Sequence, residues 1–400
     1  MQQTVLIFSV LIWVTLGLSK SFCADSDGVP LAIKAEAVAL EESSEISVAA
    51  LREVAGKGDA KAQFELGQRY RSGRQGVTRN FVEAIQWFRR AADQSYAKAQ
   101  SQLGWMYMKG EGLSQDYKEA LKWFRKAADQ DDAMGQDGLG VMYEKGEGVP
   151  RDYEEALKWF QKAAQQGDAM GQDGLGVMYG KGESVPQDDE EALKWFQKAA
   201  QQGYPRAQSH LGWMYANGKG VPQDYEEAAK WLYKAADQGD VMAQDGLGWM
   251  YRKGEGVPQN DGEAVKWLRK AAEQGHAEAQ SNLGLMYATG EGVSQDYEEA
   301  VKWFRKAAEQ GNTEGQSNLG WMYANGKGIP QDYAEAYKWF NLAAVHDNER
   351  AIREREEVAR YMSRAQVADG QRRSTAFLAR KAKQKDEGDF EEDLFEDAKR

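Results

Sequence analysis

Residues 277–312 read AEAQSNLGLMYATGEGVSQDYEEAVKWFRKAAEQGN, and this stretch is one copy of a unit that recurs along the chain. One tryptophan occupies the same position in each copy, and the tryptophans at this position are 36 residues apart. The eight are Trp87, Trp123, Trp159, Trp195, Trp231, Trp267, Trp303 and Trp339. The aligned units cover residues 60–348; seven have 36 residues and the first has 37. A fixed period of this length is typical of a solenoid built from one small helical or mixed element per repeat.

Each unit is predicted to form two helices, here called helix A and helix B, and its positions are numbered from Ala277 as position 1. In helix A the apolar and small residues recur at helical spacing on one face. They are Ala277, Ala279, Leu283, Gly284, Met286 and Tyr287. Helix B carries a second stripe, made of Ala300, Trp303, Phe304, Ala307 and Ala308. Between the two helices, Gly290 and Gly292 favour a helix end, because glycine accepts the positive φ of a C-cap.

Helix B has a marked beginning in all eight units, with Asp or Asn at position 20 and Glu at position 23. Asp296 and Glu299 are one such pair. The spacing resembles a capping box, in which the first side chain accepts from the N3 amide and the glutamate reaches back to the N-cap N–H. We therefore predict that helix B begins at this pair in every unit.

One helical hairpin cannot bury its apolar face alone, whereas stacked hairpins share a continuous core. The length of 400 residues would by itself suggest two or three domains, but the period predicts one all-α solenoid with helical caps. The chain is predicted to be organised as a signal peptide (1–23), a flexible leader (24–47), a capping half-repeat (48–59), eight repeats (60–348), a capping helix (349–380) interrupted at Gly370, and a charged disordered tail (381–400). A short partner-binding segment around Phe390, Leu394 and Phe395 is the alternative interpretation of the tail.

Composition excludes several functional classes. With 51 Lys and Arg against 63 Asp and Glu, the net charge is −12, which argues against binding nucleic acid. One cysteine excludes a disulfide framework, and the three histidines (His210, His276, His346) form no common constellation. No Walker-type phosphate loop occurs, and the Asp-Gly steps lack the spacing of a calcium loop. We therefore predict no catalytic residues, no metal site and no cofactor.

The amino terminus is predicted to direct export. Residues 5–18 (VLIFSVLIWVTLGL) are apolar and uncharged, but shorter than the roughly 20 residues of a membrane span. Cleavage after Ser21 or Cys23 fits, although Met1-Gln2-Gln3 carries no positive charge. An uncleaved anchor is the alternative. After cleavage no stable membrane span is expected, and a periplasmic or secreted bacterial protein is the simplest interpretation.

The repeat pattern A-x-A-Q-x-x-L-G-x-M-Y-x-x-G-x-G-V-P-x-D-Y-x-E-A-x-K-W-F-x-K-A-A-x-Q-G resembles the Sel1-like repeat, a relative of the tetratricopeptide repeat. The resemblance implies a right-handed superhelix of helix pairs that serves as a protein-interaction scaffold. Some cysteine-rich relatives have been linked to penicillin binding or β-lactam hydrolysis. This sequence lacks their cysteine pairs, which speaks against that activity here.

The candidate binding surface is the face of helix A opposite its apolar stripe, at positions 2, 5, 9 and 12. The tetratricopeptide fold implies that this face lines a concave groove. Positions 5 and 12 are mostly small or polar, for example Asp137 and Ala288. Position 9 is mostly large and apolar after Gln68 in the first unit, and its residues form the predicted partner-binding groove: Trp105, Val141, Val177, Trp213, Trp249, Leu285 and Trp321. Core packing between repeats is the equally weighted alternative for position 9.

Three functions remain open at this point. The preferred one is an exported scaffold or adaptor that binds a peptide or protein in its concave groove, with envelope signalling or host contact as the roles that the resemblance implies. The second is an envelope enzyme acting on peptidoglycan or β-lactams, and the third is a structural component that self-associates. The oligomeric state does not follow from the sequence.

Overall fold

The computed structural model describes residues 47–74, 76–345 and 348–397, with side chains through residue 382. Within these ranges the chain forms nineteen helices and no strands. The predicted signal peptide, the leader before Ser47 and His346 lie outside the described residues. The helices belong to two compact units, one ending at Gln94 and one beginning at Ser95.

The first unit contains α1 (Val48–Gly56), α2 (Ala60–Ser72) and α3 (Phe81–Asp93). In the second unit the A helices of repeats 2–8 are α4 (Ala97–Lys109), α6 (Ala133–Lys145), α8 (Ala169–Lys181), α10 (Pro205–Asn217), α12 (Val241–Lys253), α14 (Ala277–Thr289) and α16 (Thr313–Asn325). The B helices of the same repeats are α5 (Tyr117–Ala128), α7 (Tyr153–Gln165), α9 (Asp189–Gln201), α11 (Tyr225–Asp237), α13 (Asp261–Glu273), α15 (Tyr297–Glu309) and α17 (Tyr333–Ala344). Two further helices, α18 (Glu349–Ala359) and α19 (Arg364–Asp397), follow the last repeat. The predicted all-α repeat architecture is confirmed.

Each hairpin is held together by a glycine of helix A packed against a ring or branched side chain of helix B. At position 8 the residue is always glycine, and at position 28 it is Phe or, in two repeats, Leu. In the seventh repeat a Cβ added to Gly284 would lie 2.8 Å from the Phe304 ring, which is 1% exposed. The equivalent distances in the other seven repeats are 2.5–2.8 Å. The two helices are therefore too close for any side chain at position 8.

A buried glutamine joins neighbouring repeats. Gln280 donates to the carbonyl oxygen of Ala272 in the preceding helix B, at 3.0 Å, and accepts from Gln310 at 2.8 Å. The second bond recurs in six more repeats, at a separation of 30 residues in five of them and of 31 in the first repeat, which has one extra residue. Because Gln280 is only 4% exposed, these bonds satisfy an amide that would be costly to bury alone. The repeat pattern alone does not reveal this role.

The tryptophans that set the period are structural. They range from buried to half-buried, and in seven of the eight repeats a lysine or arginine three residues later lies over the indole. Lys306, for example, lies 3.9 Å from the centre of the Trp303 ring. The cation covers the outer side of a ring whose inner side faces the core.

The capping prediction is half right. Asp296 accepts from the Glu299 amide at 3.0 Å, and the same cap occurs at the start of all eight B helices. The glutamate does not reach back, however. The N-cap N–H of Asp296 instead donates to the carbonyl of Tyr287 in helix A, at 2.9 Å, and Glu299 pairs with Lys302. Because the two helices lie close together, the Tyr287 carbonyl accepts the hydrogen bond that the glutamate of a capping box would accept.

The loop between helix A and helix B packs closely against the preceding repeat. Gly292 has φ 69°, and a Cβ there would lie 2.2 Å from the carbonyl oxygen of Asp261. In the fourth repeat Ser184 occupies this position and still adopts φ 60°, a conformation that is unfavourable for a residue with a Cβ. The backbone path of the loop is therefore imposed by stacking and does not depend on glycine alone.

The carboxy-terminal region differs from its prediction in two respects. The break falls between Ala359 and Arg364, while Gly370 lies inside α19. A Cβ at Gly370 would lie 2.9 Å from the Tyr337 ring, so this glycine permits close packing on α17 and does not end a helix. Arg373 reinforces the contact through Asp332 and Glu335, at 3.2 and 2.9 Å. In addition, α19 continues to Asp397, into the segment predicted to be disordered.

We expect Gly284→Ala to lower the free energy of unfolding by about 1–3 kcal/mol, because the added methyl overlaps the Phe304 ring. The matched control is Gly180→Ala in α8. A Cβ there meets only Ala192, at 3.7 Å, so alanine should stabilise the helix by up to about 1 kcal/mol. Urea denaturation followed by circular dichroism distinguishes the two variants. Equal effects would show that position 8 is not the closely packed contact described above.

Candidate functional site

The seven predicted groove residues at position 9 have graded exposure. Trp105 and Val177 are buried, Val141, Trp213 and Leu285 are half-buried, and Trp249 and Trp321 are 39% and 37% exposed. Neither core packing nor groove exposure therefore describes all of them. Trp105 and Val177 belong to the core, whereas Trp249 and Trp321 present indole surface to solvent.

The four tryptophans differ in the residue that the next repeat places at position 6. The Trp213 ring lies against Gly246 in the next helix A, where a Cβ would be 3.4 Å from the indole. At the position equivalent to Gly246, Gly138 follows the buried Trp105, whereas Asn282 follows Trp249 and Glu354 follows Trp321. The two less exposed indoles are thus followed by a glycine and the two exposed ones by a longer side chain. This Asp245-Gly246 step, like those at Gly138 and Gly174, marks close packing.

Position 5 is not part of an open surface. All seven of its residues from the second repeat onward are buried, at 0–8% exposure, although we expected them to line the groove with positions 9 and 12. The reason is that position 5 faces the start of the next helix A. Ser101 donates to Asp132, and Asp245 lies 3.9 Å from His276. In the third repeat the two facing residues are both carboxylates, Asp137 and Asp168.

Asp137 opens into a cavity of about 410 Å³ within the second unit. Its apolar wall includes Trp105, Val141 and Val177 from position 9 of three successive repeats. Its polar wall includes Glu144 from position 12, together with Tyr204 and Arg206 from the start of α10. The cavity thus brings together three of the predicted groove residues. Tyr204 lies at position 36, which the sequence did not assign to the candidate binding face, so it was not predicted. Arg206 lies at position 2, which was assigned to that face.

Asp137 is in an unfavourable environment for a charge. Burial raises the pKa of its carboxyl well above the usual range, and the carboxylates of Asp168 and Asp173 raise it further, while Arg206 opposes them. Its Oδ2 atom is buried without a hydrogen-bond partner in the described part of the chain, as is Nε1 of Trp105. Burial also raises the pKa of Tyr204.

Asp173, one repeat later, is by contrast fully partnered. Its carboxylate lies 3.3 Å from Nε of Arg206 and 2.8 Å from Nδ1 of His210, whose ring packs on Phe196. His276 accepts from the Ala279 amide and caps α14. Both histidines therefore have local structural partners and do not meet in one site. Among the described residues, no group of three or more His, Cys, Asp and Glu side chains could hold a metal ion.

A second cavity, of about 350 Å³, lies on the same helix A face at the end of the array. Trp321 and Ala324 of α16 line it together with Glu354, Val358 and Tyr361 of the region after the last repeat. Tyr361 stacks on Tyr333 with ring centres 6.0 Å apart. The exposed side of Trp321 therefore borders a recess.

Comparison with protein families identifies the repeat. Eight consecutive segments match the model of the Sel1 repeat: residues 60–96, 97–132, 133–168, 169–204, 205–240, 241–276, 277–312 and 313–345. The chain belongs to the Sel1 repeat family. Sel1 repeat proteins are in general protein-interaction scaffolds without enzymatic activity. A comparison with curated proteins gave no match.

Several solved structures resemble the chain. A Sel1 repeat protein from Oxalobacter formigenes is 36% identical, with 87% of this chain and 99% of that chain covered and a TM-score of 0.53. The c5321 protein, a protective antigen present in uropathogenic Escherichia coli strains, is 31% identical, with 84% and 95% covered and a TM-score of 0.43. Helicobacter pylori cysteine rich protein B is 28% identical over 32% of this chain and 92% of that chain, with a TM-score of 0.27.

No helix in the described ranges is both long and apolar enough to cross a membrane.

We expect Asp137→Asn to stabilise the protein at pH 7 by about 1–3 kcal/mol, because it removes a buried carboxylate that lacks a partner. A raised pKa in the folded state means that stability falls as pH rises from about 4 towards that pKa. The advantage of the variant over the wild type should therefore disappear near pH 4. Thermal unfolding of the variant and the wild type at several pH values measures this difference in stability.

Asp173→Asn is the matched control in the next repeat. It removes the partner of Arg206 and should destabilise the protein at pH 7. If both variants shifted stability in the same direction, the contrast between an unpartnered and a partnered aspartate would be wrong.

Proposed function

We propose that this Sel1 repeat protein binds an extended segment of a protein partner along the helix A face of repeats 2–8. The observation that carries the proposal is the exposure of Trp249 and Trp321 on that face of well-packed helices. Tryptophan is enriched at the energetic centres of interfaces, because it combines a large apolar area with an N–H donor. An indole kept in water offers no stability to the free protein, whereas covering it would favour a complex.

The two cavities support the same surface. The first is bordered by position 9 and 12 residues of repeats 2–4, and the second by those of repeat 8. A segment that follows this face would meet recesses near both ends, with Trp249 between them. Recessed pockets lined by aromatic side chains are the usual anchor sites for partner residues. We propose binding without catalysis, in keeping with the scaffold role of the family.

The binding test uses a photo-crosslinking amino acid in place of Trp249 or Trp321, with Val82 as control. Val82 is 57% exposed but lies at the start of a B helix. We expect a discrete crosslinked partner from the two groove positions and none from position 82. The double variant Trp249→Ala/Trp321→Ala should lose that partner with little change in melting temperature. Trp105→Ala is unsuitable, because truncating a buried tryptophan costs about 3–5 kcal/mol. Equal crosslinking at all three positions would contradict the proposal.

We further propose that residues 1–23 are an export signal and that the mature protein is periplasmic or secreted. The support is the short apolar run at residues 5–18 followed by small residues. Residues 1–30 fused to alkaline phosphatase should give an active, exported enzyme whose amino-terminal sequence begins after Ser21 or Cys23. Replacing Ile7 and Leu11 by arginine should abolish export. An active fusion that keeps its full amino terminus would indicate an uncleaved anchor.

A further inference from the structure

Two residues that line the cavity at Asp137 each have a buried polar atom with no hydrogen-bond partner among the described residues. Asp137 is 1% exposed and Oδ2 has no hydrogen-bond partner in the described part of the chain. Trp105 is 9% exposed and its Nε1 has none either. Both residues line the same cavity. Buried polar groups are nearly always hydrogen-bonded, so an acceptor and a donor left open at one recess indicate a place for a ligand.

The other charged groups that line this cavity have neighbours of their own. Arg206 lies 3.3 Å from Asp173, and Glu144 lies 3.8 Å from Lys181. Lys145 lies 3.9 Å from Glu147. Lys109 lies over the Trp105 ring, 5.5 Å from its centre. Of the cavity's charged groups, only Asp137 therefore forms neither an ion pair nor a cation–π contact within the described residues, and Arg206, which acts on it from a distance, is paired with Asp173.

A buried carboxylate without a counter-charge costs free energy, and a cation brought by a ligand would recover it. An anionic ligand would have to compete with Asp173 for Arg206 and would lie close to Asp137. The electrostatics of the recess therefore favour a cation.

We propose that this cavity takes one basic side chain, lysine or arginine, of the partner segment. The aliphatic stem would pack against Trp105, Val141 and Val177, and the ammonium or guanidinium group would bind Asp137. Nε1 of Trp105 would donate to a carbonyl oxygen of the same segment. The volume of about 410 Å³ is at the lower end of the range for ligand pockets, so it suits a side chain better than a folded element.

This assignment rests on the proposed function, because it identifies one residue of the segment that the helix A face would bind. The overall negative charge of the chain agrees with a partner segment that carries positive charge at this point.

The test is a selection from a random library of 12-residue peptides against the purified full chain. We expect the selected peptides to share one lysine or arginine. In synthetic copies, replacing that residue by norleucine should weaken binding to the wild type by about 30-fold or more. The same replacement should change binding to Asp137→Asn by less than about 3-fold. This variant is expected to fold, since the substitution removes an unfavourable charge.

The matched control is Asp245→Asn, which changes a buried position 5 aspartate outside the cavity and should keep the preference for a basic residue. Selected peptides without a shared basic residue, or equal discrimination by Asp137→Asn and the wild type, would overturn this assignment while leaving peptide binding intact. If the wild type selects no peptide at all, the proposed function fails, and the assignment fails with it.

Discussion

The structure depends on the contact between a glycine in helix A and a large apolar side chain in helix B. At Gly284 and Phe304 the helices lie so close that no Cβ fits between them. This approach buries the Phe ring almost completely, places the carbonyl of Tyr287 within reach of the Asp296 N–H, and directs both helices against the next hairpin. Because the hairpin leaves one apolar face uncovered, the neighbouring repeat is part of its stability.

Stacking places residues of neighbouring repeats side by side on one surface. Trp213 at position 9 contacts Gly246 at position 6 of the next repeat, and Ser101 at position 5 donates to Asp132 at the start of the next helix A. Small differences between copies therefore change the surface locally without changing the fold. Family membership accounts for the scaffold, while the cavity and the exposed indoles arise from the departures of individual repeats.

The aspartate at 137 is the clearest such departure. Where Ser101 donates to a facing carboxylate, Asp137 faces another carboxylate, and Arg206, which opposes the rise in the Asp137 pKa, is itself paired with Asp173. Asp173 in the next repeat is paired with Arg206 and hydrogen-bonded to His210. A buried group that weakens the fold is expected where it serves recognition, since a site that binds a cation must leave a carboxylate free in its absence.

The sequence by itself determined the period, the two helices of each unit, the N-cap of helix B and the glycine that ends helix A, because these depend on residues within one repeat. It did not determine how α18 and α19 pack. Gly370, interpreted as a helix break, is instead the small residue that lets α19 approach Tyr337. It also could not decide which tryptophans at position 9 are exposed. Trp213 and Trp249 are the same residue at the same position, yet Trp213 is half-buried and packs on Gly246 of the next repeat, while Trp249 is exposed, because the surroundings of each indole come from a neighbouring repeat with a different sequence.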